Sequence, residues 1–187
     1  MLQGKRIAIL ATNGFEASEL QEPMKQLRDV DAEVKVVSLE PGTIRGETNG
    51  EWGDSVPVDL TIDEASTDDF DTLVIPGGLY NPDQLRANAK AVQFVREMFN
   101  ARKPIAAICH GPWLLVEANI ARGRKLTSYP SIRTDITNAG GLWIDEPVVV
   151  DQALITSRSP KDLQAFIAKI VEETREGRHE DRITKAA

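Results

Sequence analysis

Cys109 and His110 are adjacent and are the residues in this chain best suited to nucleophilic chemistry. The sequence contains one cysteine and two histidines, and the other histidine, His179, lies in a charged tail where we expect no catalytic role. Cys109 follows an apolar segment and precedes a His-Gly-Pro turn and a helical pattern. A tight strand-to-helix turn exposes its residue above a sheet, as in the nucleophile elbow of hydrolases. We expect the start of the following helix to lower the pKa of the Cys109 thiol.

A glycine pair follows another apolar segment and could complete a catalytic cleft. Gly77 and Gly78 allow positive φ and close approach of the backbone to a substrate. The N–H groups of Gly78 and His110 are the predicted oxyanion donors. An ordinary tight turn remains the alternative for the glycines, and no phosphate-loop pattern occurs in the chain.

Carboxylates that follow two of the apolar segments, the first strand and the one before the glycine pair, are further candidates. Glu16 or Glu19 could reach the cleft from the segment after the first strand, and spacing alone does not choose between them. A carboxyl buried beside a thiol tends to stay protonated and to donate a hydrogen bond to a thiolate. Asp83 follows Asn81 and Pro82, where an acid is also common simply because a helix begins.

Short apolar segments alternate with helical patterns along the chain, which predicts a mostly parallel sheet covered by helices on both faces. The predicted strands are residues 5–11, 33–39, 72–76, 105–109, 126–128, 148–150 and 153–157. The predicted helices are residues 16–30, kinked at Pro23, 88–102, 110–121, 130–139 and 159–176, the last with Ser159 as its N-cap. Residues 41–62, with Asn49-Gly50 as a turn, predict a β-hairpin at the edge of the sheet. In such a sheet the functional site lies at the carboxyl ends of the strands.

Composition limits the function further. The 187 residues, 41% of them hydrophobic and 27% charged, predict one globular domain, with residues 177–187 as a flexible tail. The net charge of −7 disfavours binding to nucleic acid or to a membrane surface. A single cysteine excludes an intramolecular disulfide and a Cys-rich metal site, and a reducing cytoplasm is the expected compartment.

Six segments resemble the PfpI intracellular-protease-like family of the class I glutamine amidotransferase-like superfamily. They are NGFEASEL (13–20), VIPGG (74–78), NPDQLR (81–86), KPIAAICHGPWLL (103–115), RGRKLTSYPSIRTDITNAG (122–140) and VVVDQALITSRSPKDL (148–163). They occur in the family's order across nearly the whole chain. The resemblance implies an α/β fold of the flavodoxin-like type, a three-layer sandwich with a small β-hairpin.

The same resemblance implies a role for each candidate residue. Cys109 is the nucleophile and His110 its partner, Glu19 rather than Glu16 is the carboxyl that bonds the thiol, and Gly78 matches an oxyanion position. Asp83 would reach His110 from a neighbouring subunit, which implies at least a dimer or, as in archaeal members, a hexamer. Some relatives have Glu at this place, and Asp is one methylene shorter.

The family's known activities leave three functions open. The leading hypothesis is a cofactor-free and metal-free cysteine enzyme that acts on reactive dicarbonyls or on early glycation adducts, of the glyoxalase or deglycase type. An intracellular cysteine peptidase is the first alternative. A cysteine-based oxidative-stress sensor or holdase is the second. A glutaminase is disfavoured, because it needs a His and a Glu far downstream of the cysteine and here only His179 follows His110.

Overall fold

A computed structural model describes residues 1–179 and arranges them around a central sheet of seven strands. The strands in chain order are β1 (Arg6–Leu10), β2 (Phe15–Glu16), β3 (Glu33–Ser38), β4 (Thr43–Thr48), β5 (Glu51–Pro57), β6 (Leu60–Thr61), β7 (Thr72–Ile75), β8 (Ile105–Ile108), β9 (Lys125–Leu126), β10 (Leu142–Trp143), β11 (Val148–Asp151) and β12 (Leu154–Ser157). The helices are α1 (Ala17–Asp29), α2 (Tyr80–Ala87), α3 (Ala89–Asn100), α4 (Trp113–Glu117), α5 (Arg133–Asn138) and α6 (Leu163–Glu176).

The central sheet has the strand order β11-β12-β8-β7-β1-β3-β6. Its neighbours are parallel except for β11, which runs antiparallel to β12. Every residue of β7 and β8 is buried, as expected for strands covered on both faces. One hydrophobic core lies beneath α1 and α6, and the other lies beneath α2, α3, α4 and α5. The predicted three-layer α/β sandwich is therefore confirmed.

The predicted hairpin is formed by β4 and β5. Asn49 and Gly50 join the strands with φ of 54° and 82°, the left-handed conformations that two-residue hairpin turns need. The hairpin extends β2 into a separate three-stranded sheet, and the chain then returns as β6 to the edge of the central sheet. The excursion thus leaves the sheet edge and covers the region near the start of α1.

Several local details differ from the sequence prediction. The helix after Cys109 ends at Glu117, not near residue 121, and a 3-10 turn at Pro160–Asp162 precedes α6. Ser159 stands at the N-cap of that turn, but its hydroxyl makes no capping hydrogen bond. Pro23 lies inside α1, and its kink stays a prediction. Most of the predicted flexible tail, residues 180–187, lies outside the described residues.

Among residues 1–179, no helix is both long and apolar enough to cross a membrane.

Candidate active site

Three loops meet where β8, β7 and β1 end, because these strands are consecutive neighbours in the sheet. The loop after β1 leads into α1 and brings Glu19. The loop after β7 brings Gly77 and Gly78, and the turn after β8 brings Cys109. The structure therefore brings together the candidate residues at the carboxyl edge of a parallel sheet, where ligand sites of such folds occur.

Cys109 occupies a strained turn. Its φ is +62°, a conformation that costs free energy for a residue with a side chain. Its own N–H donates to Ser157 O at 3.0 Å, and the N–H of Gly111 donates to Ile108 O at 2.8 Å, which closes the turn. The residue is 7% exposed. The predicted tight, strained turn is present, but the side chain is buried rather than exposed above the sheet.

Gly77 and Gly78 are required by space as well as by conformation. A Cβ on Gly77 would lie 2.5 Å from Cys109 Cβ and 2.5 Å from Glu19 Oε2. Gly78 has φ of +82°, and a Cβ there would collide with the backbone of Gly14 and Glu16. The two glycines let the loop after β7 pack directly against Cys109 and Glu19. An ordinary tight turn would not need a glycine for lack of space at both positions.

Glu19, and not Glu16, is the carboxyl that reaches the thiol. Its side chain is fully buried, and Oε2 accepts the N–H of Gly77 at 2.8 Å. Oε1 is buried without a hydrogen-bond partner among the described residues, and the carboxyl group also interacts with the Cys109 thiol. Burial raises the pKa of Glu19 to about 8, so the carboxyl is protonated at pH 7. Glu16 is half-buried and accepts a hydrogen bond from the Ser18 hydroxyl instead.

The pKa of the Cys109 thiol is raised, against the sequence prediction. Burial is the largest cause, and the negative charge that Glu19 can carry is the second. Hydrogen bonds from the N–H groups of Gly78 and His110 to the sulfur act in the opposite direction without overcoming burial. The helix that was expected to lower the pKa begins only at Trp113, so Cys109 is not in its first turn. The resting site therefore holds a neutral thiol beside a neutral carboxyl.

His110 lies over the thiol, as predicted for a ring at a bent turn. Nδ1 is 3.2 Å from Cys109 Sγ. The ring stacks on Tyr129 with centroids 5.0 Å apart and meets the edge of Trp113 at 5.1 Å. Burial lowers the pKa of His110, so the ring is neutral at pH 7 and can accept a proton.

Ser131 is a site residue that the sequence analysis missed. Its Oγ lies 3.0 Å from Nε2 of His110, on the side of the ring opposite the thiol. The loop that carries it is anchored to the turn because the N–H of Tyr129 donates to Cys109 O at 2.8 Å. The only sequence signal for Ser131 was its place in SYPSIR (128–133), part of a segment that resembles the family. The resemblance assigned no role to that stretch.

Asn81 was also missed, and it fastens two of the three loops together. It is fully buried, and its Oδ1 accepts the N–H of Thr12 at 2.7 Å. Its Nδ2 donates to Pro76 O at 3.0 Å and to Gly77 O at 3.1 Å. The loop after β1 is therefore held against the glycine pair.

Asp83 does not meet His110 within one chain. It lies in α2, its side chain is 67% exposed, and it pairs with Arg86 at 3.7 Å. Arg86 in turn covers the ring of Trp113 at 4.9 Å. The carboxylate points outward as predicted. Its contact with His110 of a neighbouring subunit stays a prediction.

His179 lies at the other end of the sheet, as its tail position suggested. Its N–H donates to Arg102 O, just before β8 begins, whereas Cys109 follows the end of that strand. The structure therefore places it away from the cleft.

Comparison with known proteins finds one family. The family model described as DJ-1/PfpI matches residues 5–173. Deglycase PH1704 of Pyrococcus horikoshii is 46% identical over 166 residues, which cover 89% of this chain and 97% of that protein. General stress protein 18 of Bacillus subtilis is 46% identical over 87% of this chain and 94% of its own. The putative cysteine protease YraA of the same organism is 40% identical over 87% of this chain and 94% of its own.

Solved structures show the same fold. A two-domain protein with DJ-1/ThiJ/PfpI-like and ferritin-like domains from Anabaena variabilis superposes with a TM-score of 0.85 at 38% identity. The match covers 90% of this chain and 49% of that one, so the chain spans about half of that protein. Drosophila melanogaster DJ-1beta superposes with a TM-score of 0.82 at 28% identity over 92% of this chain and 94% of its own.

Proposed function

Because the chain belongs to the DJ-1/PfpI family, we propose that it is an enzyme whose Cys109 thiol attacks reactive dicarbonyls or their early adducts with amines. The observation that carries the proposal is the meeting of a thiol, a protonated carboxyl and a neutral imidazole in one buried cleft. The deglycase and stress-protein names of close relatives support the same class of substrate.

The first step forms a bond between sulfur and the aldehyde carbon. Nδ1 of His110 accepts the thiol proton as Sγ attacks, since the two atoms are 3.2 Å apart. The developing oxyanion would accept hydrogen bonds from the N–H groups of Gly78 and His110, both of which face the sulfur. Glu19 then gives its proton to this oxygen, which leaves a neutral hemithioacetal and a carboxylate.

The second step moves hydrogen between carbons. The Glu19 carboxylate removes the proton from the carbon bonded to sulfur, while protonated His110 gives its proton to the adjacent carbonyl oxygen, so that an enediol forms. Glu19 then returns its proton to the second carbon, while the again neutral His110 takes the proton from the hydroxyl on the sulfur-bearing carbon, which produces a thioester. Water hydrolyses the thioester, which releases a 2-hydroxy acid and restores the thiol. For methylglyoxal the net reaction is addition of one water molecule to give lactate.

The outer side of His110 needs a group to hold the ring. Ser131 is in contact within the chain. We propose that Asp83 of a neighbouring copy also approaches this ring, in a dimer or a larger oligomer. The exposed side chains of Trp52, Leu79 and Tyr80 on the same face as Asp83 support an interface there, with Trp52 stacked on Tyr80.

A cysteine peptidase is the second candidate. The Cys109–His110 pair has the geometry of a thiol and its base, and the relative YraA carries the name of a putative protease. Expulsion of an amine from a peptide needs a strong general acid at the leaving group. His110, once it holds the thiol proton, is the group that would supply it, and the ring would then depend on the proposed contact with Asp83 of a neighbouring copy. The dicarbonyl reaction expels no amine from a peptide, which favours it.

Lactate formation from methylglyoxal by the pure protein tests the proposal, with a peptide substrate measured in parallel. We expect lactate from the wild type, none from Cys109→Ser, and no peptide cleavage of comparable rate. Peptide cleavage without lactate would move the assignment to the peptidase. Neither activity, together with oxidation of Cys109 by peroxide, would move it to the stress sensor.

A further inference from the structure

Three potential metal ligands meet at the end of the molecule opposite Cys109. Glu173 and Glu176 lie on the last turn of α6, and His179 follows that helix. Gly177, with φ of +85°, ends α6 and reverses the chain. The N–H of His179 then donates to Arg102 O at 3.2 Å, which holds the imidazole against the last helical turn.

The buried member of this group is Glu173. Its side chain is 7% exposed, and its Oε2 faces Nε2 of His179 at 2.8 Å. Both atoms are shielded from solvent, and their contact lacks the geometry of a well-formed hydrogen bond. The ion-pair contact therefore satisfies the two buried atoms only in part, and a cation between them would complete it.

The spacing of the three groups suits a divalent ion. Nε2 lies 2.8 Å from Glu173 Oε2 and 3.8 Å from Glu176 Oε2, and one ligand atom from each residue falls within 4.8 Å of the others. Ligands about 2.0–2.1 Å from a tetrahedral zinc ion stand about 3.3 Å apart, between those two distances. The exposed side of the group, next to Glu176, leaves room for water as a fourth ligand.

The donor atoms also suit a cation. Two acidic neighbours, Glu176 and Glu172, act on Glu173 together with His179, while the Lys5 ammonium lies near Gly177. Glu172 is paired with Lys169 at 2.7 Å, so it is not available to the group. The two remaining carboxylates face one imidazole, a mixed nitrogen and oxygen ligand set that suits zinc and similar ions.

We propose that Glu173, Glu176 and His179 form a binding site for one divalent transition-metal ion such as Zn²⁺. The ion would tie the segment after α6 to the end of that helix and, through the His179–Arg102 contact, to the turn before β8. The site is independent of the cysteine chemistry, since it lies at the amino ends of the strands. Its expected effect is on stability, because an ion that binds only the folded chain raises the melting temperature.

Titration of the full chain with Zn²⁺ tests the site, carried out in the Cys109→Ser protein so that the single thiol cannot bind the ion. We expect one ion per chain and a rise in melting temperature. The ring signals of His179 should shift in NMR spectra, which are simple because the chain has two histidines. Glu173→Gln and His179→Gln, which keep size and polarity, should each weaken binding by more than about 100-fold.

Glu172→Gln is the matched control, since it removes a neighbouring acid on the same helix that is not part of the group. We expect it to bind Zn²⁺ as tightly as the parent protein. Absence of stoichiometric binding at micromolar Zn²⁺ would overturn the proposal. So would binding that survives both Glu173→Gln and His179→Gln, or binding that shifts the ring of His110 instead of His179.

Discussion

The cleft has an inner half and an outer half that are built in different ways. The inner half consists of Cys109, Glu19, Gly77 and Gly78, all buried and held by backbone contacts within one chain. The outer half consists of His110, Tyr129, Ser131 and Asp83, which are half-buried or exposed. One backbone hydrogen bond anchors its loop, and the His110 ring itself is held by side-chain contacts. The positions of the Cys109 sulfur and the Glu19 carboxyl are thus set by the core of the fold. The orientation of His110 depends on loops and, in our proposal, on a second subunit.

Gly77→Ala should produce the largest effect, because it damages the inner half directly. The new methyl group would lie 2.5 Å from Cys109 Cβ, 2.5 Å from Glu19 Oε2 and 2.9 Å from Ile108 O. Cys109 Cβ and Ile108 O cannot move away without a shift of the backbone. We expect loss of turnover and a destabilisation of about 1–3 kcal/mol. Turnover and denaturant unfolding measure the two effects.

Gly53→Ala is the control, since a Cβ there would contact only Gly46 O at 3.8 Å. It should leave both quantities unchanged. Full activity in Gly77→Ala would show that the inner half is looser than described.

The buried carboxyl should also make stability depend on pH. Glu19 has a pKa of about 8 in the folded chain against 4.5 for an ordinary glutamate. Between these values the unfolded chain releases this proton and the folded chain keeps it. The stabilisation is therefore complete below pH 4.5 and is lost as the pH rises through about 8.

Unfolding of the wild type and of Glu19→Gln across this range isolates the effect. The difference between the two free energies of unfolding should change by about 1.4 kcal/mol per pH unit in the middle of the window. A difference that is constant from pH 5 to 8 would mean that Glu19 is ionised in the folded protein.

These residues also show what the sequence could and could not predict. The buried strands were found because parallel strands are continuous apolar segments, and their carboxyl ends predicted a common site for Cys109 and Gly78. The choice of Glu19 over Glu16 came from the family resemblance. Helix α2 was missed because Pro82 and few apolar residues hide its pattern, and β2 and β10 were missed because each is only two residues long. The strand predicted at residues 126–128 corresponds to β9, shifted by one residue. The thiol pKa was wrong in direction because burial is a property of the packed cleft.

Two supporting side chains were not predictable, because each acts on a residue distant in sequence. Ser131 contacts His110 across 21 positions in the outer half, and Asn81 reaches Thr12 across 69 positions beside the inner half. No local pattern encodes such contacts.

Ser131→Ala should have a moderate effect, since it removes one hydrogen bond from the His110 ring and touches no substrate. We expect kcat to fall about three- to tenfold, in line with the free energy of a single hydrogen bond. The KM should not change, and Ser131→Thr should restore part of the rate. The control is Thr137→Ala, which removes an exposed hydroxyl bonded to Arg133 O in α5. An unchanged kcat in Ser131→Ala would assign the ring's orientation to other groups.

Asp83→Asn should have the smallest effect at high protein concentration. If a neighbouring copy supplies this carboxylate, wild-type specific activity should fall on dilution and that of Asp83→Asn should not, because subunit dissociation removes the contact. Sedimentation at micromolar concentration checks the assembly, with Asp63→Asn, an exposed acid paired with Lys90, as the control. A wild-type monomer near 20.6 kDa would contradict the shared site and leave the inner half intact.

The central claim is that Glu19 moves protons during turnover at Cys109. Its most direct test compares two rates in Glu19→Gln, namely methylglyoxal turnover and alkylation of Cys109 by iodoacetamide. Glutamine keeps the shape and a hydrogen-bond donor but cannot transfer a proton. The account predicts that turnover falls by about 100-fold or more while the thiol is still alkylated. Turnover that stays at the wild-type level in Glu19→Gln would contradict it.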